Sequence, residues 1–254
     1  MSLWAADYGG PGPGLLLLHG LAGYGEEWHD TAMALSTGYR VVAPDQRGHG
    51  RSERRPGDVT RAAFVADAAM WIRDLELAPA VMVGQSLGGD TALLLAAEQA
   101  DLVRTLVLAE ATPQGDPAAP AQVGSWLESW PARFASRDDA LAFFGGDTPW
   151  ARAWAGGLRP EGDALVAAFD NDVMMAALDD PGDDRWDAWA SIRCPILVVS
   201  GEARLPTSVE QRLRASQPDA VFREVAGAGH DLHIEQTDRW LGVLTAFLGA
   251  TAGG

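Results

Sequence analysis

Short apolar runs divide the chain, and longer segments of mixed polarity separate them. The clearest is Leu15-Leu16-Leu17-Leu18, which follows a Gly/Pro-rich turn over 9–14. Similar runs occupy 39–43, 80–83, 105–109, 195–200 and 221–225, and 3–8 adds a short edge strand. None alternates strictly between apolar and polar, so these strands are predicted to be buried on both faces. The segments between them read as helices. Over 60–77, Phe64, Ala68, Trp71, Ile72 and Leu75 recur at three- and four-residue spacing, which places them on one helical face. An Ala/Leu-rich helix fits from 87 to about 100, and a last helix fits 234–248. Strands alternating with helices predict an α/β fold, a mostly parallel sheet flanked by helices.

The stretch 112–192 breaks this rhythm. It contains Pro113, Pro117, Pro120, Pro131, Pro149, Pro160 and Pro181, and acidic pairs such as Asp138-Asp139 and Asp183-Asp184. It also holds Trp126, Trp130, Trp150, Trp154, Trp186 and Trp189, six of the ten tryptophans. We read it as an inserted helical cap, with 1–111 and 193–254 forming one core. The tryptophans either weld small helices to the core or line an apolar pocket. Trp126, Trp130, Trp154, Trp186 and Trp189 are the candidate pocket residues. An apolar cap face serves a substrate or a second protein equally well, so the pattern leaves oligomeric state open.

Composition narrows the functional classes. Acidic residues number 35 and basic residues 19, a net charge of −16. No basic run offers a positive face, which argues against nucleic-acid binding and against a polybasic membrane patch. The apolar runs are too short to span a bilayer. With no secretion signal in view, the expected location is the cytoplasm. The lone cysteine, Cys194, supplies neither an internal disulfide nor a thiolate cluster, and the scattered histidines suggest no metal centre. No metal or organic cofactor is expected.

One segment carries chemistry. Gly84-Gln85-Ser86-Leu87-Gly88 lies between an apolar strand and a helix, the setting a strand–turn–helix nucleophile elbow requires. Such a turn presents the Ser86 hydroxyl and aims the Leu87 N–H at developing oxyanion charge. The Leu21 N–H, just after Gly20 at the exit of the first strong strand, is the second donor candidate. A serine needs an imidazole to take its proton. His230 is the first choice, because the Gly-rich loop 226–229 carries it beyond the last strand, with His233 behind it. His29 is a candidate to face the pocket. His19 and His49 suit loop-holding roles, and Gln85 is placed to bond loops around the elbow.

Four segments together resemble the α/β-hydrolase superfamily: His19-Gly20, Asp45-Gln46-Arg47-Gly48-His49-Gly50-Arg51-Ser52, Gly84 to Gly89, and Gly227-Ala228-Gly229-His230. The likeness covers almost the whole chain outside the cap. It implies a triad in the chain order nucleophile, acid, histidine, and a lid inserted after the sixth strand of the usual eight. It also implies that the first strand of the full fold is missing. The acid departs from the family pattern. Arg204 stands where an aspartate is expected in Gly201-Glu202-Ala203-Arg204, and a cation cannot support an imidazolium. Some members, zearalenone-lactonase-like proteins among them, take the acid from the end of the preceding core strand, which here is Glu110. Glu202 is the backup acid, and Asp231 and the cap acids remain further alternatives.

The resemblance therefore implies a serine hydrolase of esters or lactones, and the Trp-rich cap favours a hydrophobic or aromatic small molecule. C–C bond hydrolysis, perhydrolysis and a non-catalytic ligand-binding scaffold are the alternatives.

Overall fold

The computed structural model describes residues 1–179, 184–203 and 205–251. Seven of its strands form one sheet, in the order β1 (Trp4–Gly9), β3 (Arg40–Asp45), β2 (Gly14–Leu18), β4 (Ala80–Gln85), β5 (Val103–Ala109), β8 (Ile196–Ser200) and β9 (Val221–Glu224). Strand β1 is antiparallel to β3, and every other pairing is parallel. The predicted mostly parallel α/β sheet is the observed one.

The uninterrupted apolar runs follow from two-sided burial. Leu16, Leu18, Val42, Met82, Leu106, Leu108 and Val198 pack on one face with residues of α2 (Arg61–Asp74), α3 (Leu87–Glu98) and α9 (Thr207–Ser216). Leu15, Leu17, Val41, Val81, Val83, Val107 and Val199 point the other way. They pack with α1 (His29–Leu35) and α11 (Thr237–Thr251). Successive side chains on a strand alternate faces, so each run must be apolar throughout.

Two helix boundaries differ from expectation. Helix α2 stops at Asp74, and Glu76 beyond it takes φ 54°. The last helix is split into α10 (Leu232–Glu235) and α11 by Gln236, which leaves helical geometry at φ −135°. The Gln236 side-chain amide donates to the Gly227 carbonyl at 3.1 Å, so this break ties the C-terminal layer to the loop before His230.

Between β5 and β8 the chain forms α4 (Ala119–Glu128), α5 (Arg137–Phe143), α6 (Pro149–Gly156), α7 (Asn171–Leu178) and α8 (Trp186–Ser191). It also forms a hairpin of β6 (Arg159–Glu161) and β7 (Ala164–Val166), turning at Gly162 with φ 64°. The hairpin is too short to leave a periodic signal in sequence. Trp130 joins the two apolar clusters of this region, meeting Trp126, Phe144, Trp154 and Phe169 edge-on. Arg54 fastens α7 to the sheet side, donating to Asp170 at 2.9 Å and to the Ala167 and Phe169 carbonyls at 2.8 and 2.6 Å.

Helix α8 behaves differently from α4–α7. It lies against α3, and Trp186 and Trp189 are buried in the same apolar cluster as Leu106 and Leu213. The Trp189 indole donates to the Leu213 carbonyl at 3.2 Å. Trp186 lies under the Arg212 guanidinium, 4.0 Å away. Both side chains, expected as candidate pocket residues, serve the core instead. Among the described residues no helix is long and apolar enough to cross a membrane.

Because Trp189 is fully buried and away from the cavity, Trp189→Ala should lower unfolding stability by about 3–5 kcal/mol in urea titration. KM for any substrate should stay within about twofold at temperatures where the variant is folded. A large KM change with intact stability would contradict this placement.

Candidate active site

Strand β4 delivers the chain to Ser86, which adopts φ 50° and ψ −117° and opens α3. A non-glycine residue in this region is strained and persists only where its surroundings enforce it. The enforcement is visible in the packing. A Cβ on Gly84 would meet the Gly88 carbonyl oxygen at 2.3 Å, and one on Gly88 would meet the Leu18 oxygen at 2.4 Å. Only glycine lets β4, α3 and the end of β2 approach this closely. The Ser86 N–H donates to Ala109 O at 3.0 Å, which pins the turn to β5. Leu87 is the first residue of α3, so its N–H is one of the groups a helix start leaves without an internal partner.

The loop after β2 runs beside this turn. A Cβ on Gly20 would lie 2.1 Å from the Gln85 Oε1 and 3.5 Å from the Ser86 Cβ, which brings Leu21 alongside the elbow. His19 holds the loop from beneath. Its Nε2 accepts the Gln46 backbone N–H at 3.0 Å, so the proton sits on Nδ1, which donates to Gly20 O at 2.7 Å. Burial and the neighbouring His49 keep the His19 pKa well below 6.5. Burial also lowers His49, to about 4, and its Nδ1 lies 2.9 Å from Arg47 O. Both fixed neutral rings belong to the scaffold.

Glu110 follows β5 directly, also in the left-handed region at φ 51°. One carboxylate oxygen accepts the Gly201 N–H at 2.6 Å. The other lies 3.5 Å from the His230 Nδ1, which is long for a hydrogen bond but within ion-pair reach. Desolvation pulls the His230 pKa down. The close contact with Glu110 and the charges of Asp231, Glu110 and Glu235 outweigh it and hold the pKa above 6.5. The ring is 58% exposed, so solvent weakens each of these charge effects. Gln85 donates to the His230 carbonyl at 3.0 Å, linking the residue before the elbow serine to the histidine loop.

The other candidates separate clearly. Glu202 accepts the Gly227 N–H at 3.0 Å, which places its carboxylate on the loop backbone. Arg204 lies outside the described residues. Asp231 accepts the Trp150 and Trp154 indoles at 2.7 and 3.2 Å, so its carboxylate is bonded to the cap. His233 is buried and stacked on Trp28 at 3.8 Å, and burial lowers its pKa to about 4. His29 is exposed on α1, 5.8 Å from the Tyr8 ring, and does not reach the pocket.

Ser86, Leu21, Leu87, Gln85, Glu110 and His230 all border one cavity of about 1050 Å³. Trp126, Trp150 and Trp154 form part of its wall, whereas Trp130 is held inside the aromatic cluster behind them. No hydrogen bond joins Ser86 Oγ to His230 among the described residues. Such contacts often tighten only when substrate is bound.

Three further lining residues carried no signal in the sequence: Glu27, Arg61 and Arg185. Burial, followed by the charge of Asp231, raises the Glu27 pKa well above 4.5. Arg61 opens α2 and is itself buried, a position that helical periodicity assigns to solvent. Trp150, counted among the cap tryptophans, gave no reason to be singled out for the pocket. Among the described residues no group of three or more His, Cys, Asp or Glu side chains is arranged to hold a metal ion.

Known proteins share this architecture. Across 249 residues the chain is 26% identical to the 2-(acetamidomethylene)succinate hydrolase of Mesorhizobium japonicum, covering 95% of this chain and 90% of that protein. It is 31% identical over 209 residues to the 3-hydroxybutyrate-oligomer hydrolase of Cupriavidus necator, covering 74% and 71%. A crystal structure of E-2-(acetamidomethylene)succinate hydrolase superposes with a TM-score of 0.89 at 25% identity, covering 97% of this chain and 95% of that one. The model of the alpha/beta hydrolase family matches residues 15–242, which include the elbow, the Glu110 exit and the histidine loop. Sheet order, elbow and family match agree, and the chain belongs to the alpha/beta hydrolase family.

Proposed function

We propose that the protein is a serine hydrolase that cleaves a carboxylic ester or lactone of a hydrophobic or aromatic small molecule through an acyl-enzyme. The observation that carries this reading is the convergence on one cavity of a strained Ser86, a His230–Glu110 pair and the start of α3. In this scheme Glu110 orients His230 through Nδ1, leaving Nε2 to take the Ser86 proton. The Ser86 oxygen attacks the substrate carbonyl, and the N–H groups of Leu21 and Leu87 stabilise the tetrahedral oxyanion. His230 then gives the proton to the leaving alkoxide. Water, activated by the same ring, adds to the acyl-enzyme and releases the acid and free Ser86.

The substrate class is argued from the wall of the cavity. Trp126, Trp150 and Trp154 offer apolar, ring-shaped surface beside the serine. The oligomer hydrolase relative supports an ester as the scissile bond, because hydroxy acids oligomerise through esters. Of the cap expected over 112–192, the part before α8 covers this cavity. Helix α8 counts with the core layer formed by 1–111 and 193–254.

Glu110 as the acid is tested by two matched variants. Glu110→Gln should cut kcat on the order of 10²–10⁴-fold on any ester or lactone turned over. Glu202→Gln, whose partner is a loop amide, should stay within about threefold. The reverse order, with both variants folded by circular dichroism, would overturn the assignment. On a substrate panel, lactone cleavage yields one acid equivalent with no separate alcohol. Turnover of acyclic esters alone would remove the lactone reading.

The general-base role of His230 fixes the sign of the pH dependence, and its raised pKa fixes where the limb falls. General-base action needs the neutral ring, so kcat/KM should rise with pH, with its acid-limb midpoint above 6.5. Stabilisation from the protonated ring runs oppositely. It is fully present below the ordinary histidine value and is lost as pH rises through the folded pKa. An acid limb below 6.5 would contradict the arrangement.

A further inference from the structure

Asp231 follows the proposed base directly, yet its carboxylate is committed elsewhere. One oxygen accepts both cap indoles, Trp150 Nε1 at 2.7 Å and Trp154 Nε1 at 3.2 Å. The other lies 3.4 Å from the Gln85 side-chain nitrogen, which also donates to the His230 carbonyl at 3.0 Å. A second tie joins the same helix to the loop after β2, because the Tyr24 hydroxyl donates to the Ala153 carbonyl at 2.9 Å. Helix α6 is thus held to both loops that flank Ser86.

The chemistry of the donors gives this contact its meaning. A partly buried indole N–H needs an acceptor, and an ionised carboxylate is the strongest one a side chain offers. Two indoles and an amide satisfy the Asp231 oxygens without neutralising them. Asp231 therefore acts on the neighbouring His230 by charge as well as through the loop. Opening the cap would separate both indoles from their shared acceptor and release a restraint on the histidine loop in the same movement.

We propose that Asp231 is a positioning residue that clasps α6 onto the His230 loop, so that one carboxylate sets both the seat of the cap and the placement of the general base. This rests on the reading of His230 as that base. The titratable groups around the pair are Glu110 beyond β5, Glu27 on the turn before α1, and His233 and Glu235 on α10. Glu110 and Glu235 act on His230 in the same direction as Asp231. The Asp231 share is separable only by removing its charge alone.

The test compares Asp231→Asn with the double variant Trp150→Phe, Trp154→Phe. Hydrogen exchange by mass spectrometry across α6 is measured beside pH profiles of kcat/KM. The clasp predicts exchange in α6 at least about fivefold faster in both variants, with α3 unchanged. Asp231→Asn, which keeps the shape and loses the charge, should also move the acid limb to lower pH. The double tryptophan variant should leave that limb in place, because it keeps the charge. Unchanged α6 exchange in both variants would overturn the clasp, whatever the kinetics. Faster exchange with an unmoved acid limb in Asp231→Asn would overturn the link to the base. Failure of the underlying reading is distinguishable, since His230→Ala would then retain wild-type turnover. If Asp231→Asn does not fold, Trp150→Phe alone carries the exchange test.

Discussion

The close approach of β4, α3 and the end of β2 around Ser86 sets where every other part of the site can lie. A methyl group on Gly84 or Gly88 would overlap backbone atoms at 2.3–2.4 Å, so the turn exists only because these positions lack side chains. Its tightness forces Ser86 into φ 50° and draws the Gly20 loop against Gln85. The same Gln85 then reaches across to the His230 carbonyl. The proposed nucleophile, oxyanion donors and base are all referred to one turn. That turn is anchored in turn by strands buried on both faces.

Charge in the cleft is arranged with equal economy. Four carboxylates, Glu27, Glu110, Asp231 and Glu235, border the cavity near His230. Each has a different partner. Glu110 takes the Gly201 amide and faces the His230 ring. Asp231 takes the cap indoles. Glu235 accepts the Gly229 and Asp231 amides, stiffening the loop that carries the histidine. Glu27 is buried against the Tyr24 amide and His233, where burial favours its neutral form. Separate hydrogen-bond partners allow acids to crowd one histidine while, among the described residues, only Glu110 faces its Nδ1.

Much of this was readable in the chain because two-sided burial leaves a strong trace. Four consecutive leucines after a Gly/Pro turn read as a strand buried on both faces, and Gly84, Ser86 and Gly88 acquire meaning from the strand before them. Glu110 was legible as a carboxylate at a strand exit, and the family resemblance made it the candidate acid; the structure puts it on the cavity wall. The tryptophans were not sortable. Trp150, Trp154, Trp186 and Trp189 look alike in sequence, yet the first two meet Asp231 and the last two lie under α3. Only tertiary packing separates them, since α8 returns to the core before β8 begins. The buried Arg61 was invisible for a related reason, because an arginine at a helix start reads as a solvated residue. The β6–β7 hairpin and the break at Gln236 depend on pairings too short or too distant to leave periodicity.

Treating the folded protein with a fluorophosphonate and recording intact mass with peptide mapping asks whether Ser86 is an accessible, activated nucleophile. One adduct per chain is expected, on the peptide containing Ser86, and none on folded S86A. Absence of an adduct on the folded wild-type protein, or equal labelling of S86A, would contradict it.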